Sequence, residues 1–143
     1  MRKEGSAISV ERINPASLAS PKGFSHAVRA SGTTVFLAGQ TAMDQSGRIV
    51  GDTVTEQFAQ ALENLLEALA ATGGAPDDLA SMTIFTTDMD DYQAHAREIG
   101  AVWRRRVGTS YPAMAGIGVA RLWDPQAVVE LQAIAVLNTS PPQ

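Results

Sequence analysis

"TVTEQFAQALENLLEALAATGG", residues 53–74, is the stretch that decides the fold. Its large apolar side chains recur at helical spacing and form one stripe. The stripe consists of Phe58, Leu62, Leu65 and Leu69. Thr53 with Glu56 fits a capping box at the start, and Gly73 stands where a glycine ends a helix. The stretch therefore predicts an amphipathic helix that buries one face.

The segments on either side of this helix are predicted to be mainly strands. Residues 26–40 are predicted to form two short strands around the turn signal Ser31-Gly32. The segment 79–89 is rich in β-branched and aromatic residues, which favour a strand. Three more strands are considered, namely one near residues 8–13 and a closing pair over 113–122 and 127–137.

A second amphipathic helix is predicted over residues 90–108, so the element order is β-β-α-β-α-β-β. This order belongs to the α/β (α+β) class. Two helices are too few to cover both faces of such a sheet, and we expect one mixed β-sheet with two helices packed on one face. In the last strand, alternate residues from Val129 to Leu137 would meet the helices. The opposite set is also mostly apolar, which predicts burial by oligomerisation.

Composition narrows the function classes. The 143 residues fit one domain, 1–143, with the polar, proline-rich tail 138–143 expected to fray. The net charge of −4 gives no electrostatic reason to expect nucleic acid or an anionic membrane as a partner. The absence of cysteine excludes disulfides and thiol nucleophiles, and we expect neither a metal nor a cofactor. With no membrane span and no signal peptide in the sequence, the expected location is cytoplasmic.

A few polar side chains are candidates for chemistry. Glu130 is the one carboxylate flanked by apolar residues within a predicted strand. It could serve acid–base chemistry, or it could pair with an arginine or a backbone amide at an interface, and both alternatives stay open. His26 follows the loop PKGFS and could line a cleft, whereas His95 is expected on a helix surface. The arginine run 104–106 is interpreted as a solvated helix end and not as an RNA contact.

Glycines mark further candidate positions. Gly39 ends a strand, where it permits either close approach of a backbone or ligand or a plain bulge. Gly116 and Gly118 lie inside a predicted strand and share a face with Met114. This face could be the wall of a reaction site, or a site that has lost its chemical groups.

Several stretches together resemble a known family. They are NPASLASPKGFSHAV (14–28), TVFLAGQTAMDQSGRIVG (34–51), QFAQALENLLEALAATGG (57–74), MTIFTTDMDDY (82–92), YPAMAGIGVARL (111–122) and VVELQAIAV (128–136). In this order they resemble the Rid family, the reactive intermediate deaminases, also called the YjgF family and long labelled endoribonuclease L-PSP. The resemblance implies a chorismate-mutase-like fold, a homotrimer and ligand clefts between subunits.

The resemblance also implies site residues. Members of the family hydrolyse 2-enamine and 2-imine intermediates, and an arginine in a P-A-R-S motif binds the substrate carboxylate. Here Met114 stands in place of that arginine. The other matched positions are Phe24 for a tyrosine, Ala96 for an asparagine, Gly116 for a frequent cysteine, and the retained Gly39 and Glu130.

We therefore expect a Rid-family homotrimer that binds a small metabolite in inter-subunit clefts. The expected ligand-binding residues are Phe24, His26, Gly39, Met114 and Gly116. Glu130 would activate water against an imine or enamine. Standard 2-imino acid deamination is doubtful because neutral Met114 cannot pair with a carboxylate, unless another residue such as His26 or Arg29 holds it. The alternative is a non-catalytic, metabolite-binding or regulatory trimer, and a ribonuclease ranks third because the chain is acidic.

Overall fold

The helix predicted from residues 53–74 forms as α1, Val54–Ala71, with its predicted cap. The structure is a computed structural model that describes residues 9–138. At the start of α1, the Glu56 backbone N–H donates to Thr53 Oγ1 at 3.1 Å, and the Thr53 N–H donates to the Glu56 carboxylate at 3.2 Å. After the helix, Gly73 has a φ of +89°, a left-handed conformation that glycine adopts without a Cβ clash. The capping box and the terminal glycine are therefore confirmed.

A mixed four-stranded sheet lies under the helices. Its strands are β3 (Thr33–Gln40), β4 (Leu79–Thr86), β5 (Ala113–Gly118) and β6 (Val129–Leu137), in the spatial order β3-β6-β4-β5. The strand β6 is antiparallel to both neighbours, whereas β4 and β5 are parallel. The mixed α+β class is therefore confirmed.

Two short strands form a separate antiparallel pair. They are β1 (Val10–Ile13) and β2 (Ala27–Ala30). The pair is tied to β5 through Ser25, whose backbone N–H donates to the Pro112 carbonyl oxygen at 2.9 Å. The strand considered near residues 8–13 is thus present over Val10–Ile13, while residue 8 and tail residues 139–143 lie outside the described part of the chain.

The sequence predicts β5 and β6 as a closing pair of strands, but in the structure they are not neighbours. The strand β4 lies between β5 and β6 and pairs with both. Because β4 and β5 are parallel, the chain must cross over from the end of β4 to the start of β5, and it does so through helices. Strand β5 also ends at Gly118, earlier than predicted.

The second predicted helix is divided in two. It forms α2 (Met89–Ala94) and α3 (Ala96–Arg106), separated at His95, whose φ of −110° and ψ of 16° are not helical. The His95 Nδ1 lies 2.9 Å from the Asp91 carbonyl oxygen, so a side-chain contact occupies the turn where the helix is interrupted. The periodicity of residues 90–108 remained helical on both sides of the break, which is why the sequence did not reveal it.

The core lies between one face of the sheet and the helices. The α1 stripe is fully buried, and so are the alternate β6 residues Val129, Leu131, Ala133 and Ala135. From α3, Ile99, Val102 and Trp103 join the same core. The opposite sheet face stays open in the single chain, where Phe36 is 77% exposed and Ile117 42% exposed. The apolar second face is therefore a real feature of the sheet.

Replacing Leu62 by alanine should destabilise the fold more than any surface change on α1. Leu62 has no exposed surface, so we expect its truncation to lower the free energy of unfolding by about 2–5 kcal/mol. The control Glu67→Ala, on the exposed side of the same helix, should stay within about 0.5 kcal/mol of the parent chain. Urea unfolding at one protein concentration measures both. Equal effects of the two substitutions would contradict the assigned core.

Candidate functional site

Strand alternation separates the predicted site residues into two groups. Met114 and Gly116 on β5 stand opposite Met82 and Ile84 of β4, so they point towards the helices. Glu130 stands opposite Phe85, the next residue of β4, and points to the open face. Successive side chains of a strand lie on opposite faces. Within one chain the sheet therefore lies between Met114 and Glu130.

Met114 lines a cavity of about 340 Å³ between β5, α3 and the loop at residues 22–23. Most of its wall is apolar or aromatic. The apolar and aromatic lining residues are Phe58, Ile84, Tyr92, Ile99, Trp103, Tyr111 and Met114. Ala96 also lines this cavity, so the position matched to the family's asparagine lies beside the position matched to its arginine.

Aromatic contacts give this wall a fixed shape. Trp103 stacks on Tyr111 with ring centroids 6.0 Å apart and planes at 13°. Phe58 and Tyr92 meet edge to face at 6.3 Å. Burial raises the pKa of Tyr92 to about 12, so its hydroxyl stays protonated at neutral pH. The Trp103 Nε1 is covered and has no hydrogen-bond partner among the described residues, so this ring contributes packing surface and no accessible donor.

The segment that carries Phe24 and His26 runs beside β5. Ser25 Oγ donates to the Tyr111 carbonyl oxygen at 2.6 Å, which holds the segment there. Phe24 and His26 form an edge-to-face pair with centroids 5.1 Å apart. His26 Nε2 lies 2.7 Å from the Ala19 carbonyl oxygen, so this nitrogen fastens the preceding loop. Residues 22 and 23 line the cavity. Phe24 and His26 follow them in the same segment but are not among the residues that line the cavity.

Gly39 and Glu130 form the second group, on the open face. A Cβ at position 39 would lie 2.0 Å from Glu130 Oε2, so only glycine leaves room for the carboxylate in this position. The register with β6 also shifts between Leu37 and Gln40, which marks a bulge. The bulge expected from the sequence is therefore present, and the group that approaches this glycine closely is the Glu130 side chain. Within the described chain, Glu130 forms no ion pair and no hydrogen bond through its carboxylate.

Two cations at the cavity were not predicted from the sequence. Lys22 and Arg104 line it together with Met114. On α3, Arg104 follows Gly100 and Ala96 at spacings of four, so all three lie on one helix face. This spacing is a usable signal in the sequence, although the arginine run by itself indicates only a solvated helix end. The other candidate cation, Arg29, pairs with Glu11 at 2.8 Å on the small β1–β2 sheet.

A wider depression of about 770 Å³ lies between α1 and residues 40–46. The Asn64 side-chain amide donates to the carbonyl oxygens of Thr41 and Met43, each at 2.9 Å, and so holds this loop. None of the predicted site residues is among the described residues that line the depression. We assign no function to it.

Comparisons with known proteins support the same family. A family model described as Endoribonuclease L-PSP matches residues 14–137. The 2-iminobutanoate/2-iminopropanoate deaminase of Capra hircus is 35% identical over 104 residues, 72% of each chain. A structure of the conserved Rid family protein YyfB from Yersinia pestis, of unknown function, is 32% identical with a TM-score of 0.82, covering 91% of this chain and 100% of that one. Escherichia coli TdcF with bound serine is 30% identical with a TM-score of 0.65, covering 82% and 91%.

The fold and these matches together define a chorismate-mutase-like α+β protein. Some of the proteins that it is similar to are named deaminases. The chain belongs to the Rid family, also known as YjgF or endoribonuclease L-PSP. This confirms the resemblance drawn from the sequence. Among residues 9–138, no helix combines the length and apolar character needed to cross a membrane.

Replacing Gly39 by alanine should disturb Glu130 directly. The added Cβ would overlap the carboxylate, which is the free end of a flexible side chain, so Glu130 must turn to another rotamer and we expect a loss of about 0.5–1.5 kcal/mol in the free energy of unfolding. The double variant Gly39→Ala/Glu130→Ala removes the group that clashes and should regain most of this loss. Chemical unfolding of the two single variants and the double variant measures the coupling. Additive effects would show that the two residues do not interact.

Proposed function

We propose that the protein is a homotrimer that binds a small metabolite in clefts between its subunits and hydrolyses an imine or enamine there. The observation that carries the proposal is the division of the site residues between the two sheet faces. One small ligand cannot touch Met114 and Glu130 of the same chain, because the sheet separates them. It could touch the Met114 cavity of one subunit and Glu130 of the partner subunit.

The open sheet face supports assembly. Phe36, Ile117 and Ile134 all expose large apolar surfaces on it. Exposed apolar patches of this kind commonly mark interaction sites in proteins. A second copy of the chain would cover this face and would bring the Gly39–Glu130 group next to another subunit's cavity.

Glu130 has a suitable position for a general base. Its carboxylate lies over the bare backbone of Gly39, and within residues 9–138 no cation neutralises it. It would accept a proton from water as the water oxygen bonds to the iminium carbon and the C=N π electrons move to nitrogen. It would then return that proton to nitrogen. As the carbonyl forms and the C–N bond breaks, the carboxylate would take the hydroxyl proton of the adduct and pass it to the departing ammonia. The products are a ketone and ammonium.

The relatives support a ligand related to amino acids. The Capra hircus relative is named a 2-iminobutanoate/2-iminopropanoate deaminase, and the Escherichia coli TdcF structure contains serine. Short 2-imino acids are expected to be poor ligands here, because Met114 offers no charge where the family pattern has an arginine. The alternative is a trimer that binds a metabolite without turnover. The location we propose is the cytoplasm.

The protein should be a trimer at micromolar concentration. Phe36→Glu would place a charge on the exposed apolar face and should shift the trimer towards the monomer. Gln93→Glu, at an exposed position of α2 on the helix side of the sheet, is the matched charge control and should stay trimeric. Light scattering during gel filtration measures the mass of each form. A monomeric parent chain would contradict the assembly and the shared cleft.

Imine hydrolysis should depend on Glu130. Imines made in situ from several amino acids by an L-amino-acid oxidase should disappear faster with the parent chain than with Glu130→Gln. The glutamine has the same shape but cannot accept the proton, so we expect a loss of at least about 100-fold in rate. The imine of 2-aminobutanoate should be a slow substrate. No acceleration with any imine would favour the non-catalytic alternative.

A further inference from the structure

The side chain of Arg104 lies on the cavity side of α3. Its Nη1 is 3.3 Å from the place that a Cβ on Gly100 would occupy, so the guanidinium folds back along the helix over a residue without a side chain. Helical side chains point towards the N-terminus, which brings Arg104 over the turn that carries Ala96 and Gly100. Both of these residues line the cavity with Arg104.

Arg104 differs from the neighbouring arginine that has a structural partner. Arg106 donates to the Glu63 carboxylate at 2.6 Å and so joins α3 to α1. Arg104 forms no ion pair within residues 9–138, and none of the described residues that line its cavity carries a carboxylate. Lys22 adds a second positive charge to the same lining. The cavity therefore combines an aromatic interior with unneutralised cations.

The size of the cavity argues against a four-carbon acid as its only occupant. About 340 Å³ lies within the range of roughly 300–1,000 Å³ typical of pockets for larger organic ligands. Its aromatic rings offer stacking surface to a ligand ring. The hydroxyls of Tyr92 and Tyr111 form no hydrogen bonds within the described chain, so each can bond to a polar atom of a ligand.

We propose that this cavity binds an aromatic 2-oxo or 2-imino acid whose carboxylate is held by Arg104, with Lys22 assisting. The proposal rests on the function proposed above for the same site and names its ligand class. In place of a strand residue at position 114, a helix residue supplies the guanidinium. Met114 then contributes apolar surface against the ligand ring.

The test combines a change in the protein with a change in the ligand. Calorimetry would measure phenylpyruvate, its uncharged methyl ester and 2-oxobutanoate against the parent chain and Arg104→Gln. We expect Arg104→Gln to weaken phenylpyruvate binding by about tenfold, the value of one partly exposed charge-assisted contact. Binding of the ester should change by less than about twofold. The parent chain should bind phenylpyruvate more tightly than 2-oxobutanoate.

The matched control is Arg105→Gln, which removes the same charge from an exposed residue of α3 outside the cavity lining. It should leave phenylpyruvate binding within about twofold. Glutamine is a good helix former, so neither variant should unfold α3. Equal losses for Arg104→Gln and Arg105→Gln would show only a long-range effect of charge and would overturn the proposal.

Three other results would also overturn the proposal. They are no binding of phenylpyruvate, equal affinity for 2-oxobutanoate, and equal losses for the acid and the ester in Arg104→Gln. These results can be separated from failure of the proposed function, because the cavity and Arg104 belong to one chain. A monomer, or a trimer without turnover, would still give a readable difference between the two arginine variants.

Discussion

The packing of α1 on β6 is the contact on which the rest of the structure depends. The helix buries Phe58, Leu62, Leu65 and Leu69 against alternate residues of the central strand. Burial of a large aliphatic or aromatic side chain contributes roughly 1.5–3 kcal/mol, so the stripe is a major source of stability. Because β6 pairs with both β3 and β4, this one contact fixes which face of the sheet is covered.

Once that face is covered, strand alternation decides on which side of the sheet each candidate site residue lies. Met114 points into the layer between sheet and helices, and Glu130 points away from it. Gly39 completes the outer group because its missing Cβ leaves space for the carboxylate. In the function proposed above, these two groups are halves of one site, and the apolar outer face is the surface through which a second copy would unite them.

The cavity around Met114 combines a largely apolar and aromatic wall with two basic side chains at its lining. The aromatic contacts of Trp103 with Tyr111 and of Phe58 with Tyr92 form a firm wall. Positive charge comes from α3 and from the loop at residue 22. Because guanidinium and ammonium groups lie on long, flexible side chains, they can reach the cavity both from α3, which forms part of its wall, and from the loop beside it.

The sequence by itself determined the elements whose signal is local. The 53–74 stretch predicted α1 with its cap, and the alternation from Val129 to Leu137 predicted the covered face of β6, because burial repeats with the geometry of each element. Only the tertiary structure decided that β4 lies between β5 and β6, that His95 divides a helix and that Arg104 reaches the cavity. These features depend on pairing and packing between segments far apart in the chain, which periodicity along one segment does not encode.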